Sequence, residues 1–110
     1  MLLSIEVWVS ALIRRVELGG AFATVVRRCD ARAGTVLVKT LDRRGGHARL
    51  FQEATGSDGE RMWMQPTSST IEADVDAYIG RATRIDPDLW VVEIEDGGGA
   101  RFLTEPVEKA

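Results

Sequence analysis

Five carboxylates fall within twelve residues of this chain, at Asp86, Asp88, Glu93, Glu95 and Asp96 in the segment IDPDLWVVEIED. Hard divalent cations such as Mg²⁺ or Ca²⁺ take several oxygen ligands, and Glu93 and Glu95, two residues apart, share one face of a strand. Asp86, Asp88, Glu93 and Glu95 are therefore the candidate metal ligands. A solvated strand face accounts for the same pattern. The segment has neither EF-hand spacing nor a histidine or cysteine beside the carboxylates.

The order Pro-Asp, strand, Glu-x-Glu is superficially similar to metal-dependent nucleases that read Pro-Asp and then Asp/Glu-x-Lys. Glu95 occupies the lysine's place, so the cation that would stabilise transition-state charge is missing. His47 is the only histidine and sits at a hairpin edge, where an exposed turn residue is the default reading. Cys29 stands beside Arg27 and Arg28, which favour a thiolate if they are close in space, but no nucleophile signature surrounds it. Gly97 to Gly99 lacks the Lys-Ser/Thr of a phosphate loop and reads as a turn. No catalytic residue and no cofactor is assigned.

Three arginine pairs, Arg14-Arg15, Arg27-Arg28 and Arg43-Arg44, make the best case for a ligand surface, because guanidinium groups bind carboxylate and phosphate bidentately. Trp8, Trp63 and Trp90 read as core or edge-of-core residues. Trp63, between Met62 and Met64 in a short strand, is the candidate anchor for a partner, since tryptophan is enriched in binding hot spots.

These side chains must be positioned by a small set of elements. Ile5, Trp8, Val9, Leu12, Ile13 and Val16 trace one helical stripe, predicting a helix over 5–18 with Gly19-Gly20 as its stop. A strand over Leu2 to Val9 with Ser10 capping a shorter helix is the competing reading. Ala21–Arg28, Thr35–Leu41 and Ala48–Glu53 read as an antiparallel meander joined by CDARAG and DRRGGH, with a short strand at Arg61–Gln65 after a polar loop. Ser69-Thr70-Ile71-Glu72 fits a capping box, opening a second helix that closes by about Arg84, since Pro87 disfavours helix at Asp86. In the strand Leu89–Glu95, the set Trp90, Val92 and Ile94 is core, with Leu89, Val91, Glu93 and Glu95 opposite. A turn at Asp96–Gly99 and a strand at Arg101–Thr104 complete a terminal hairpin.

The chain has 110 residues, 45% hydrophobic and 28% charged, which suits one domain able to bury one core. No apolar run approaches the roughly 20 residues that span a bilayer, and the start MLLSIEV has no cleavage signal, so it is read as part of the fold. A single cysteine makes a reduced cytoplasm the simplest setting. The net charge of -3 hides an asymmetry: residues 1–50 carry nine Lys/Arg and four Asp/Glu, giving +5, and residues 51–110 carry five and thirteen, giving -8. The acidic balance and the lack of interleaved exposed aromatics argue against nucleic acid. Pairing of arginines with the acidic half, within or between subunits, is the more economical account.

The blocks WVSALIRR (Trp8 to Arg15), GAFATVVRR (Gly20 to Arg28), AGTVLVK (Ala33 to Lys39) and DPDLWVVEIED (Asp86 to Asp96) resemble a family of small alphaproteobacterial proteins catalogued as a domain of unknown function. The resemblance covers nearly the whole chain and implies a stand-alone bacterial cytoplasmic domain. It carries no activity over. The expected architecture is α+β, an antiparallel sheet of about five or six strands packed against two helices. The expected function is a non-enzymatic protein-interaction module, with a homodimer as one arrangement. It would contact its partner through Arg14, Arg15, Arg27, Arg28, Arg43 and Arg44 or through Trp63. Nucleic-acid binding through the arginine pairs is the alternative, and a metal-dependent hydrolase using the acidic segment the weaker one.

Overall fold

The structure, a computed structural model, describes residues 4–29 and 34–108. Helix α1 (Ile5–Leu18) opens at Ser4, whose hydroxyl accepts the Val7 N–H, and closes at Gly19, whose N–H returns to the Arg15 carbonyl. The strand alternative is overturned from Ile5 onward, while Leu2 and Leu3 lie outside the described residues. Then come β1 (Phe22–Arg27), β2 (Thr35–Asp42), β3 (His47–Thr55), β4 (Arg61–Met64), α2 (Glu72–Ile85) and β5 (Leu89–Glu95). Of the expected CDARAG turn, Asp30 to Ala33 lie outside the described residues. Gly46 takes a positive φ of 69° in the β2–β3 hairpin, which a glycine adopts without a Cβ penalty.

The sheet has five strands in the order β1-β5-β2-β3-β4. β2, β3 and β4 form a meander, but β1 is not its first member. β5 inserts between β1 and β2, antiparallel to the first and parallel to the second, so the sheet is mixed. The reason lies in composition. β2 and β5 are nearly continuous apolar runs, and such runs belong in the middle of a sheet, where both faces are covered.

The helices occupy opposite faces. Under α1, Trp8, Leu12 and Val16 pack with Val36, Val38 and Ile94; under α2, Val75 packs with Leu37, Leu50 and Val91. Leu89 and Val91, expected opposite the core, are buried beneath α2, so β5 has a core on each side.

Two local expectations are corrected. Ser69 does not form the reciprocal capping box: Ile71 stands at the cap position, and the Ser69 hydroxyl accepts the Ile71 N–H at 3.2 Å while donating to Asp74 at 2.7 Å. The terminal hairpin is absent as well. Gly99–Phe102 is a 3₁₀ turn, and a Cβ on Gly99 would come within 2.9 Å of the Ile94 and Thr40 side chains. Glycine there lets the chain fold over the end of β5 instead of leaving as a strand. The chain then runs beside β4, where the Trp63 N–H donates to Pro106 O (2.8 Å) and the Glu108 N–H donates to Trp63 O (2.7 Å).

The two sheet edges therefore differ. β4 is flanked by the C-terminal segment, whereas β1 has no backbone ladder on its outer side among the described residues. Among those residues, no helix is long and apolar enough to cross a membrane.

Candidate docking groove

Lys39 stands in the middle of β2, on the face covered by α2, and is only 4% exposed. An ammonium group in such a place needs anionic partners. Three are supplied. The parallel register sets Glu93 of β5 directly beside Lys39, with Nζ and Oε1 3.2 Å apart. Glu72 and Asp76, one turn apart on α2, share a helix face and reach Nζ at 2.7 and 2.8 Å. Burial by itself would lower the lysine's pKa, but the hydrogen bonds to Asp76, Glu72 and Glu93 outweigh it and hold the pKa well above the ordinary value. Lys39 is a fixed cation that ties α2 to the sheet.

This cluster forms one end of a groove between α2 and β1. Val26, Val91, Ile79 and Gly80 supply its apolar surface and Glu72, Asp76 and Glu93 its anionic wall, with Lys39 and Arg43 as the cations beside them. Beyond it the α2-side face of β1 is uncovered by any of the described residues. Phe22 and Thr24 pair with Glu95 and Glu93 and so share that face, and Phe22 is 71% and Val26 59% exposed. A bulge between Val25 and Arg27 shifts the β1–β5 register at Val26.

The arginine pairs do not converge. Arg15 donates from Nε and Nη2 to the Phe102 carbonyl on the α1 side of the molecule. Arg27 donates to the Pro87 carbonyl at one end of β5, while Arg43 donates to Glu95 at the other. Arg28 faces Glu6 at 3.4 Å and lies over the Trp90 ring, 5.3 Å from its centroid. Arg14 is exposed on α1, and the exposed Arg44 directs its backbone N–H to Asp42 Oδ1.

Trp63 is corrected as a partner anchor. It is 1% exposed, stacks at 5.4 Å against Trp8, and donates its indole N–H to Glu105 at 2.9 Å. Trp8 donates to the other oxygen of Glu105 at 3.4 Å. Burial pushes the Glu105 carboxyl upward, yet the Trp63 N–H, its own backbone N–H and the Trp8 N–H bring it below the ordinary range. Edge strands need inward anchors, and this tryptophan pair is one.

The four candidate metal ligands are dispersed from the turn before β5 to its far end. Asp86 accepts the Asp88 N–H before the strand begins; Glu93 binds Lys39 and Glu95 binds Arg43 toward its far end. Among the described residues, no group of three or more His, Cys, Asp or Glu is disposed to hold a metal ion. His47 is exposed at the start of β3, and the Cys29 thiol lies 3.6 Å from Asp88 Oδ1.

Of the residues that make the groove, Arg43 and Glu93 are among the candidates drawn from sequence, in other roles, whereas Lys39, Glu72, Asp76 and Gly80 are not. A signal existed. A lone lysine inside an apolar strand, VLVKTL, requires carboxylates, and a Glu-x-x-x-Asp pair on the following helix offers two on one face.

A family model described as "Protein of unknown function (DUF1491)" matches residues 3–104. A crystal structure of a DUF1491 family protein from Caulobacter crescentus CB15 is similar at 72% identity and a TM-score of 0.91, covering 97% of this chain and 100% of that one. An NMR structure of a DUF1491 family protein from the same organism aligns at 72% identity and a TM-score of 0.87, covering 99% of each chain. The solution structure of protein Atu0922 from A. tumefaciens aligns at 33% identity and a TM-score of 0.82, covering 99% of this chain and 98% of that one. No curated protein matches.

Proposed function

The chain belongs to the DUF1491 family of proteins of unknown function, and from that premise we propose that it is a non-enzymatic protein-interaction module whose partner lies on the uncovered face of β1. One observation carries the reading. Phe22 and Val26, large apolar side chains, are mostly exposed on an edge strand that opens directly into the groove beside α2. Exposed apolar surface rimmed by charge marks interaction sites.

The other readings draw less support. Nucleic-acid binding through the arginine pairs would need guanidinium groups on one surface, whereas Arg15, Arg27 and Arg43 are engaged at separate places. A metal-dependent hydrolase would need the acidic segment's carboxylates together, whereas Asp86 and Asp88 precede β5 and Glu93 and Glu95 lie toward its end.

A photo-crosslinking residue placed at Phe22 and separately at Val26, in the native host cells, tests the proposal. Discrete protein adducts are expected from both positions and not from exposed Glu17 on α1. An adduct of twice the chain mass would identify a homodimer. Absence of protein adducts at both positions would remove the proposal.

A further inference from the structure

We infer that the partner element is an amphipathic α-helix with an apolar stripe and a basic flank, lying on β1 alongside α2. This rests on the interaction reading above and narrows it to one kind of occupant. The first argument is space. The α2-side core draws on β2, β3, β5 and α2 and includes no β1 residue, so α2 leaves the last strand of its layer bare. A helix with its side chains is about 10 Å wide, and neighbouring helices sit 8–10 Å apart, so a second helix would fit beside the first over Phe22, Thr24 and Val26.

The second argument is Gly80. It follows Glu72 and Asp76 at four-residue intervals, so it lies on the same stripe of α2 and faces the groove. A glycine in mid-helix weakens the helix and needs a compensating reason. Among the described residues, packing offers none, because the one atom near a Cβ placed there would be Arg84 Nη1 at 3.9 Å. A missing side chain on a groove wall lets another helix approach closely. A strand added along β1's outer edge would lie away from α2 and leave Gly80 without a reason.

Charge chooses the flank. Of the charges that line the groove, Lys39 and Arg43 contribute +2 and Glu72, Asp76 and Glu93 contribute -3, and Glu95, paired with Arg43 just outside, brings the sum to -2. Glu72 and Asp76 remain about half exposed. Lysine or arginine on the incoming helix would complete them.

The test uses the full chain and two synthetic helical peptides that share a leucine stripe, one with lysine and one with glutamate at the polar positions. Amide chemical shifts of the protein report binding. The lysine peptide should shift Thr24, Val26, Asp76 and Gly80 and weaken with salt, and the glutamate peptide should not bind. Gly80→Leu should reduce lysine-peptide affinity at least tenfold while keeping the native spectrum, and Val26→Lys, at an exposed β1 position outside the Lys39 ion pairs, should do the same independently. Equal binding of both peptides, shifts elsewhere, no binding, or affinity unchanged in both variants would overturn the inference. In-cell adducts at Phe22 and Val26 that persist undiminished in Gly80→Leu would overturn the helix while leaving the interaction reading standing. Loss of all adducts in the unaltered chain removes that reading itself.

Discussion

Lys39 and Glu93 stand opposite one another in the parallel β2–β5 ladder, 3.2 Å apart between Nζ and Oε1, with α2 adding Glu72 and Asp76 from above. Sheet register and helix placement meet at this one ammonium group. Its raised pKa means that the stabilisation is complete below the ordinary lysine value of 10.5 and is lost only as pH rises through the higher folded value. At neutral pH the cluster is always intact.

Lys39→Met should therefore cost about 2 kcal/mol at pH 7, because three carboxylates are left facing one another. The full penalty of a broken buried pair is reduced by the exposure of Glu72 and Asp76. Adding Glu72→Gln and Asp76→Asn should recover a large part of the loss. Urea denaturation of the single and triple variants measures both. If the triple variant is no more stable than the single, the cluster does not hold α2 by charge.

Glu105→Gln should cost about 1 kcal/mol at pH 7, a charged hydrogen-bond pair discounted for partial exposure. Because the folded carboxyl titrates below its ordinary 4.5, its contribution is present above that value and disappears as pH falls through the lower folded one. The gap between the two proteins should accordingly narrow below pH 4.5. A gap independent of pH would show that the indole bonds do not depend on the carboxylate charge.

Gly80→Ala should raise stability by about 0.5–1 kcal/mol, since alanine is the better helix former and its Cβ meets no close neighbour among the described residues. Thermal unfolding reads it as an increase in Tm. A decrease would reveal an internal role for the missing side chain.

Val91→Ser and Val92→Ser should each destabilise by roughly 2 kcal/mol, through lost packing and a buried hydroxyl, because adjacent residues of β5 enter different cores. Chemical denaturation of the pair decides the layering. A sheet with one solvated face would show the loss at Val92 and little at Val91.

Much of the local structure was legible. The α1 stripe, its glycine stop, the turn at Gly46 and the span of β5 follow from periodicity and turn chemistry that act within a few residues. The errors have a common source. Alternation with Glu93 and Glu95 gives the Leu89 and Val91 side of β5 the look of a solvated face, and only the position of α2 shows that the face is half covered. Trp63 read as an exposed anchor because its strand is short and lies at an edge, but α1 and the C-terminal segment close over it through Trp8 and Glu105.

By itself the sequence determined that two amphipathic helices and the five segments that become strands arise in this order, since helix and strand periods are properties of near neighbours, but it offered a sixth strand, Arg101–Thr104, that does not form. Tertiary structure alone decided that β5 lies between β1 and β2, that the helices take opposite faces, and that, among the described residues, β1 is left as a bare ledge. Those outcomes depend on which distant segments bury their apolar faces against one another. Lys39 shows why the distinction matters: nothing within ten residues of it in the chain supplies the three carboxylates that make its place in the core tenable.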